Sequence, residues 1–150
     1  MPQSLAKIYV HLVFSTKNRE RILLDDVRPD LHDYMGGTMK GLDCMPLEIN
    51  SEPDHAHLLF ILTRKMALSD VVGGLKKSAT DWLRTKAARY QAFFWQAGYG
   101  AFSVSQSSVE DVRKYIQNQR EHHTTRTFQD EFRALLAKYQ IDHDERYVWD

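Results

Sequence analysis

The sequence predicts an α+β domain built on one antiparallel sheet, and three observations predict it. Apolar residues alternate over several short runs, as half-buried strands require. Over other runs they recur every three to four residues, as amphipathic helices require. The runs follow the order strand, helix, strand, strand, helix, strand, and then further helices. That order is the ferredoxin-like split βαβ pattern, with helices packed on one face of the sheet. At 150 residues the chain is expected to be a single domain over residues 1–150, long enough to bury a sizeable core.

Each element has its own warrant. In "KIYVHLVFST", Ile8, Val10, Leu12 and Phe14 share one face and Tyr9, His11 and Val13 the other, which is a strand. "DDVRPDLHDYMGGTMKGLD" sets Val27, Leu31, Tyr34, Met35, Thr38 and Leu42 at helical spacing, with Gly36 and Gly37 weakening the pattern. "CMPLEINSE" alternates again, placing Met45, Leu47 and Ile49 together, and "EPD" turns the chain into "HAHLLFIL". The next helix opens at Ser69 as cap, with Leu68, Val72, Leu75, Ala79, Trp82 and Leu83 as its buried stripe. "AFFWQAGYGAFSVS" reads as an extended lead, a turn at two glycines and a fourth strand. Its aromatic residues are core candidates or, if exposed, surfaces on which unpaired bases could stack. Ser107-x-x-Glu110 reads as a capping box for "DVRKYIQNQREHH", and Thr127 as the cap of "FQDEFRALLAKYQ". "YVWD" ends the chain as a short docked segment.

Composition narrows the function. Twenty basic and twenty acidic residues cancel, which counts against a protein that coats nucleic acid. The distribution is uneven, however. Residues 64–90 carry seven basic side chains against Asp70 and Asp81, whereas residues 25–54 carry eight acidic ones against Arg28 and Lys40. A neutral chain can still present a basic face. One cysteine, Cys44, permits no internal disulfide, no signal peptide is expected, and no run is long and apolar enough to span a bilayer. A cytoplasmic protein is the expectation.

The third strand opens with His55 and His57, two imidazoles on one face of what this topology makes a central strand. Two histidines begin a metal site and do not complete it. A closed zinc site would want four ligands, commonly including cysteines. On the helix after Ser108, Tyr115 and Gln119 stand four apart and share a face. The Gln119 carboxamide oxygen can supply a third ligand; His122 and His123 are rival ligands one turn on. A phenol attacks a phosphodiester only if charge on the phosphate is neutralised, which a divalent metal does. His11 either faces these surroundings or is a satisfied sheet histidine. Arg19, Arg21, Lys76 and Lys77 are candidates for phosphate contacts.

Together these residues resemble a family. His-hydrophobic-His on a strand, followed by Tyr-x-x-x-Gln on a helix, is similar to the HUH endonucleases, and within them to the single-tyrosine transposases of small insertion sequences and their repeat-associated relatives. "YVHLVFSTKNRERIL", "DHAHLLF", "FFWQAGYGAFSVSQSS" and "DERYVWD", in that order, extend the resemblance over nearly the whole chain. The resemblance implies a transposase that cuts and rejoins single-stranded DNA carrying a hairpin. Tyr115 would be the nucleophile, forming a covalent 5′-phosphotyrosine. His55, His57 and Gln119 would bind Mg²⁺ or Mn²⁺. A homodimer with composite active sites is implied too, the tyrosine helix of one chain completing the histidine site of the other. Two other classes fit the residues alone. One is a non-catalytic ferredoxin-like binder of single-stranded nucleic acid. The other is a metal-dependent hydrolase using an activated water.

Overall fold

The computed structural model describes residues 2–123 and 125–150, the side chain of His122 excepted. Among the described residues four strands form one antiparallel sheet: β1 (Tyr9–Ser15), β2 (Met45–Glu52), β3 (His55–Ile61) and β4 (Gly100–Val104), in the order β2-β3-β1-β4. That is the expected α+β, ferredoxin-like arrangement, and the His-x-His strand is central in it. Two helices, α1 (Arg28–Gly41) and α2 (Leu68–Arg84), pack on the face that carries Val10, Leu12, Phe14, Ala56, Leu58 and Phe60. Both faces of β1 are buried, because the C-terminal helices α3 (Val109–Gln117), α4 (Gln119–His122) and α5 (Phe128–Lys138) cover the other one. Among the described residues no helix is long and apolar enough to cross a membrane.

Local departures from the expected pattern have physical causes. β2 carries a bulge between Pro46 and Glu48. The extra residue reverses the alternation, so Leu47 packs on the C-terminal helices and Ile49 on α1 and α2. Helix α2 is capped by Ala67 rather than Ser69: Leu68 already packs on the core as its first residue, and the Ala67 carbonyl takes the Asp70 amide at 3.1 Å. The capping box does not form. Ser107 lies in a 3₁₀ turn, bonded to Ser105, and Glu110 turns to Arg113. Thr127 does cap α5, accepting the Asp130 amide at 3.2 Å.

The two glycines of "AGYG" serve close approach rather than the expected turn, since neither has positive φ. A Cβ on Gly100 would lie 2.5 Å from the Phe132 ring, and one on Gly98 3.3 Å from the carbonyl of Asp150. The C-terminal segment docks as expected: the Gly98 amide donates to Asp150 at 2.9 Å and Trp149 packs against Phe128 and Phe132. Gly100 therefore admits α5 to the sheet, and α5 completes the site.

Candidate active site

On the sheet face under α3 and α5, two apolar clusters flank a polar group: Leu59 and Val104 pack with Ile116 of α3, and Val13 and Phe102 with Phe132 of α5. His57 lies opposite Val13 on β1 and Asn50 on β2, and His55 opposite Ser15 and Glu52. Both histidine side chains are fully buried. Their outer nitrogens are fixed from behind. Asp54 takes His55 Nδ1 at 2.6 Å, and His11 Nε2 lies 2.8 Å from His57 Nδ1 with the two rings stacked. His11 is thus part of the site. Its burial beside His57 depresses its pKa to about 3, so it stays neutral and holds the His57 ring in one orientation. His57 is pushed down by burial, while His55, despite burial, is raised to about 9 by its hydrogen bonds to Asp54 and Glu131.

Glu131, from α5, is the residue that sequence reasoning missed. Its side chain is fully buried, and its Oε1 lies 3.4 Å from His55 Nε2 and 3.0 Å from the Nε2 atoms of both His57 and His123. Burial alone would raise the carboxyl, but these imidazole hydrogen bonds hold it far below the usual carboxylate range. The second oxygen, Oε2, accepts the Tyr115 hydroxyl. One carboxylate thus joins the histidine pair to the tyrosine. Burial and the Glu131 charge push the Tyr115 phenol well above its ordinary pKa, so it rests protonated.

Gln119 reaches the same place by an altered route. Asn50 Nδ2 captures the Ile116 carbonyl at 2.8 Å, the helix breaks at Asn118, and Gln119 opens the single turn of α4. Its Nε2 still donates to the Tyr115 carbonyl at 3.3 Å, and its Oε1 lies 3.3 Å from His55 Nε2. His123 bonds Glu131, and its ring lies tilted against that of His55, the centroids 4.5 Å apart; the His122 side chain lies outside the described residues.

A divalent cation fits this donor set. His55, His57 and Glu131 offer ligand atoms all within 4.8 Å of one another, with the Gln119 oxygen beside them. The carboxylate gives the site the hard oxygen that Mg²⁺ and Mn²⁺ prefer and that two imidazoles lack.

The expected phosphate contacts separate. Arg21 is exposed and lies 3.7 Å from Asp54, behind His55. Arg19 packs over Trp149 and donates to its carbonyl at 3.4 Å. Lys76 turns inward instead, donating to the carbonyls of Gln96 and Gly98 at 2.9 and 2.6 Å, where burial lowers its pKa to about 8. Lys77 is exposed beside Asp81 on α2, across the sheet from the histidines.

A family model agrees with the family that the sequence resembles. The model described as "Transposase IS200 like" matches residues 4–119. The chain belongs to the IS200-like transposase family. The ISDra2 transposase TnpA of Deinococcus radiodurans is 28% identical over 116 residues, covering 73% of this chain and 81% of that one. Among solved structures, a Deinococcus radiodurans chain assigned as a transposase superposes with a TM-score of 0.62 at 24% identity, covering 79% of this chain and 98% of that one. A REP-associated tyrosine transposase bound to a REP hairpin gives 0.60 at 15%, covering 82% and 73%. As a member of this transposase family the chain is a DNA-cleaving enzyme. The family match ends at Gln119, so His123, Arg126 and Glu131 lie beyond it.

Proposed function

We propose that this transposase cuts and rejoins single-stranded DNA next to a hairpin, with Tyr115 as nucleophile and Mg²⁺ or Mn²⁺ held by His55, His57 and Glu131, with Gln119 alongside. The observation that carries the reading is the shared carboxylate: Glu131 touches the histidine pair through one oxygen and the Tyr115 hydroxyl through the other. In the forward step the Tyr115 oxygen bonds to phosphorus, the bond from phosphorus to the 3′ oxygen breaks, and that oxygen takes up a proton. The phenolic proton leaves along the hydrogen bond to Glu131 Oε2 and passes on to solvent, because a carboxylate held so far below its usual range does not keep it. The bound metal would act as a Lewis acid on the phosphate oxygens. The tyrosyl ester conserves the energy of the broken linkage, so rejoining needs no ATP. The hairpin is proposed from the relative solved with a REP hairpin.

Incubation with Mn²⁺ and labelled hairpin-bearing single strands should give a protein-linked label. Tyr115→Phe should lose it while still binding the hairpin, and EDTA should silence the wild type. Cleavage that survives in Tyr115→Phe would assign the chemistry to an activated water. Hairpin binding with no adduct under any metal would leave a non-catalytic binder.

A further inference from the structure

Glu131 and the histidines account for the proton and the metal; the charge that builds on the phosphate beside Tyr115 has a separate candidate. Arg126 Nη2 donates to the Tyr115 hydroxyl at 3.1 Å and lies 3.9 Å from Glu131 Oε2. It stands between two cavities. The inner one, about 190 Å³, is lined by His11, Tyr115, Glu131 and Lys138. The outer one, about 560 Å³, opens between the loop after β1 and the start of α5 and is lined by Arg19, Arg21, Asp54, His123 and Phe128. Arg126 lines both, and its side chain is 37% exposed. The acids in the outer cleft are engaged: Asp54 by His55 and Arg21, Asp130 by Arg133 at 3.2 Å.

We propose that Arg126 is a further catalytic residue, which seats the scissile phosphate against Tyr115, and that the strand reaches it through the outer cleft past Arg21. The inference rests on the reading of Tyr115 as nucleophile. A guanidinium is suited to the task because its planar donors match two oxygens of one phosphate. The donor already aimed at the attacking oxygen needs only a small shift to bridge that oxygen and a phosphate oxygen. Negative charge builds on the phosphate as attack proceeds, and a preplaced cation acts most at that moment. Lys65 is the control: it is an exposed cation beside Asp43 and lines neither cavity.

The test compares adduct formation on two hairpin-bearing strands in Mn²⁺. One carries the natural linkage, the other an uncharged methylphosphonate at the cleavage position mapped with wild type. Arg126→Ala should keep hairpin affinity and slow adduct formation on the natural linkage by about 100-fold or more. On the methylphosphonate, where no phosphate charge remains, the same substitution should cost less than about tenfold. Arg126→Lys should fall between wild type and Arg126→Ala, and Lys65→Met should stay near wild type. Equal slowing on both linkages, or no slowing on either, would overturn the proposal, since a residue that only supports the fold cannot distinguish them. A wild type that forms no adduct, or a Tyr115→Phe variant that forms the same one, would instead sink the nucleophile assignment, and this inference with it.

Discussion

His11 and His57 share one short contact, and that contact decides which His57 nitrogen faces the site. A ligand's outer partner typically contributes 10–100-fold in metal affinity by fixing its tautomer and angle. Replacement of His11 by Leu removes the partner at similar volume and should weaken Mn²⁺ binding about 10–100-fold, measured by titration calorimetry without DNA. Glu131→Gln should cost more than this, because it removes a charged oxygen donor. Gln119→Ala should cost less, because water can replace a neutral oxygen. If Glu131→Gln bound Mn²⁺ as wild type does, the carboxylate would be a tyrosine partner alone.

The element that delivers Glu131 is α5, and its seat on β4 is set by Gly100. A methyl group there would meet the Phe132 ring at 2.5 and 2.8 Å, one residue after Glu131. Overpacking of this kind costs about 1–3 kcal/mol, so Gly100→Ala should lower the melting temperature by on the order of 5 °C for a chain of this size. It should also weaken Mn²⁺ binding, because α5 must move as a body. Adding Phe132→Leu makes room and should restore much of both losses, a coupling that a double-mutant cycle reads directly. Independent effects would show that α5 does not rest on this contact.

For the whole molecule the open question is how many chains build one site. Within the chain Tyr115 already lies beside its own His57, the ring centroids 5.9 Å apart. The homodimer with composite sites implied by the family resemblance would therefore need the tyrosine helix to change partners. Two-fold pairing would suit a reaction that rejoins two DNA ends, and we retain it as a proposal. Mixed Tyr115→Phe and His57→Ala chains, each inactive alone, should regain adduct formation under subunit exchange if sites are shared. They should stay inactive if each chain completes its own.

The sequence by itself determined the sheet, its topology and the place of the histidine pair on a central strand. Alternation in "KIYVHLVFST" and "HAHLLFIL" and helical spacing between them are local signals, written in the residues that carry them. So is the His-x-His pair, since side chains two apart on a strand share a face whatever packs on it. Only the tertiary structure decided what met those histidines. Asn50 reaches across to break the helix at Asn118, the bulge in β2 turns Leu47 away from Ile49, and Glu131 looks in sequence like any solvent-facing acid of an amphipathic helix. Its role arises because Phe132 fits against Gly100, 32 positions earlier, and turns one face of α5 into the site. A signal shared between residues so far apart leaves no periodicity to read.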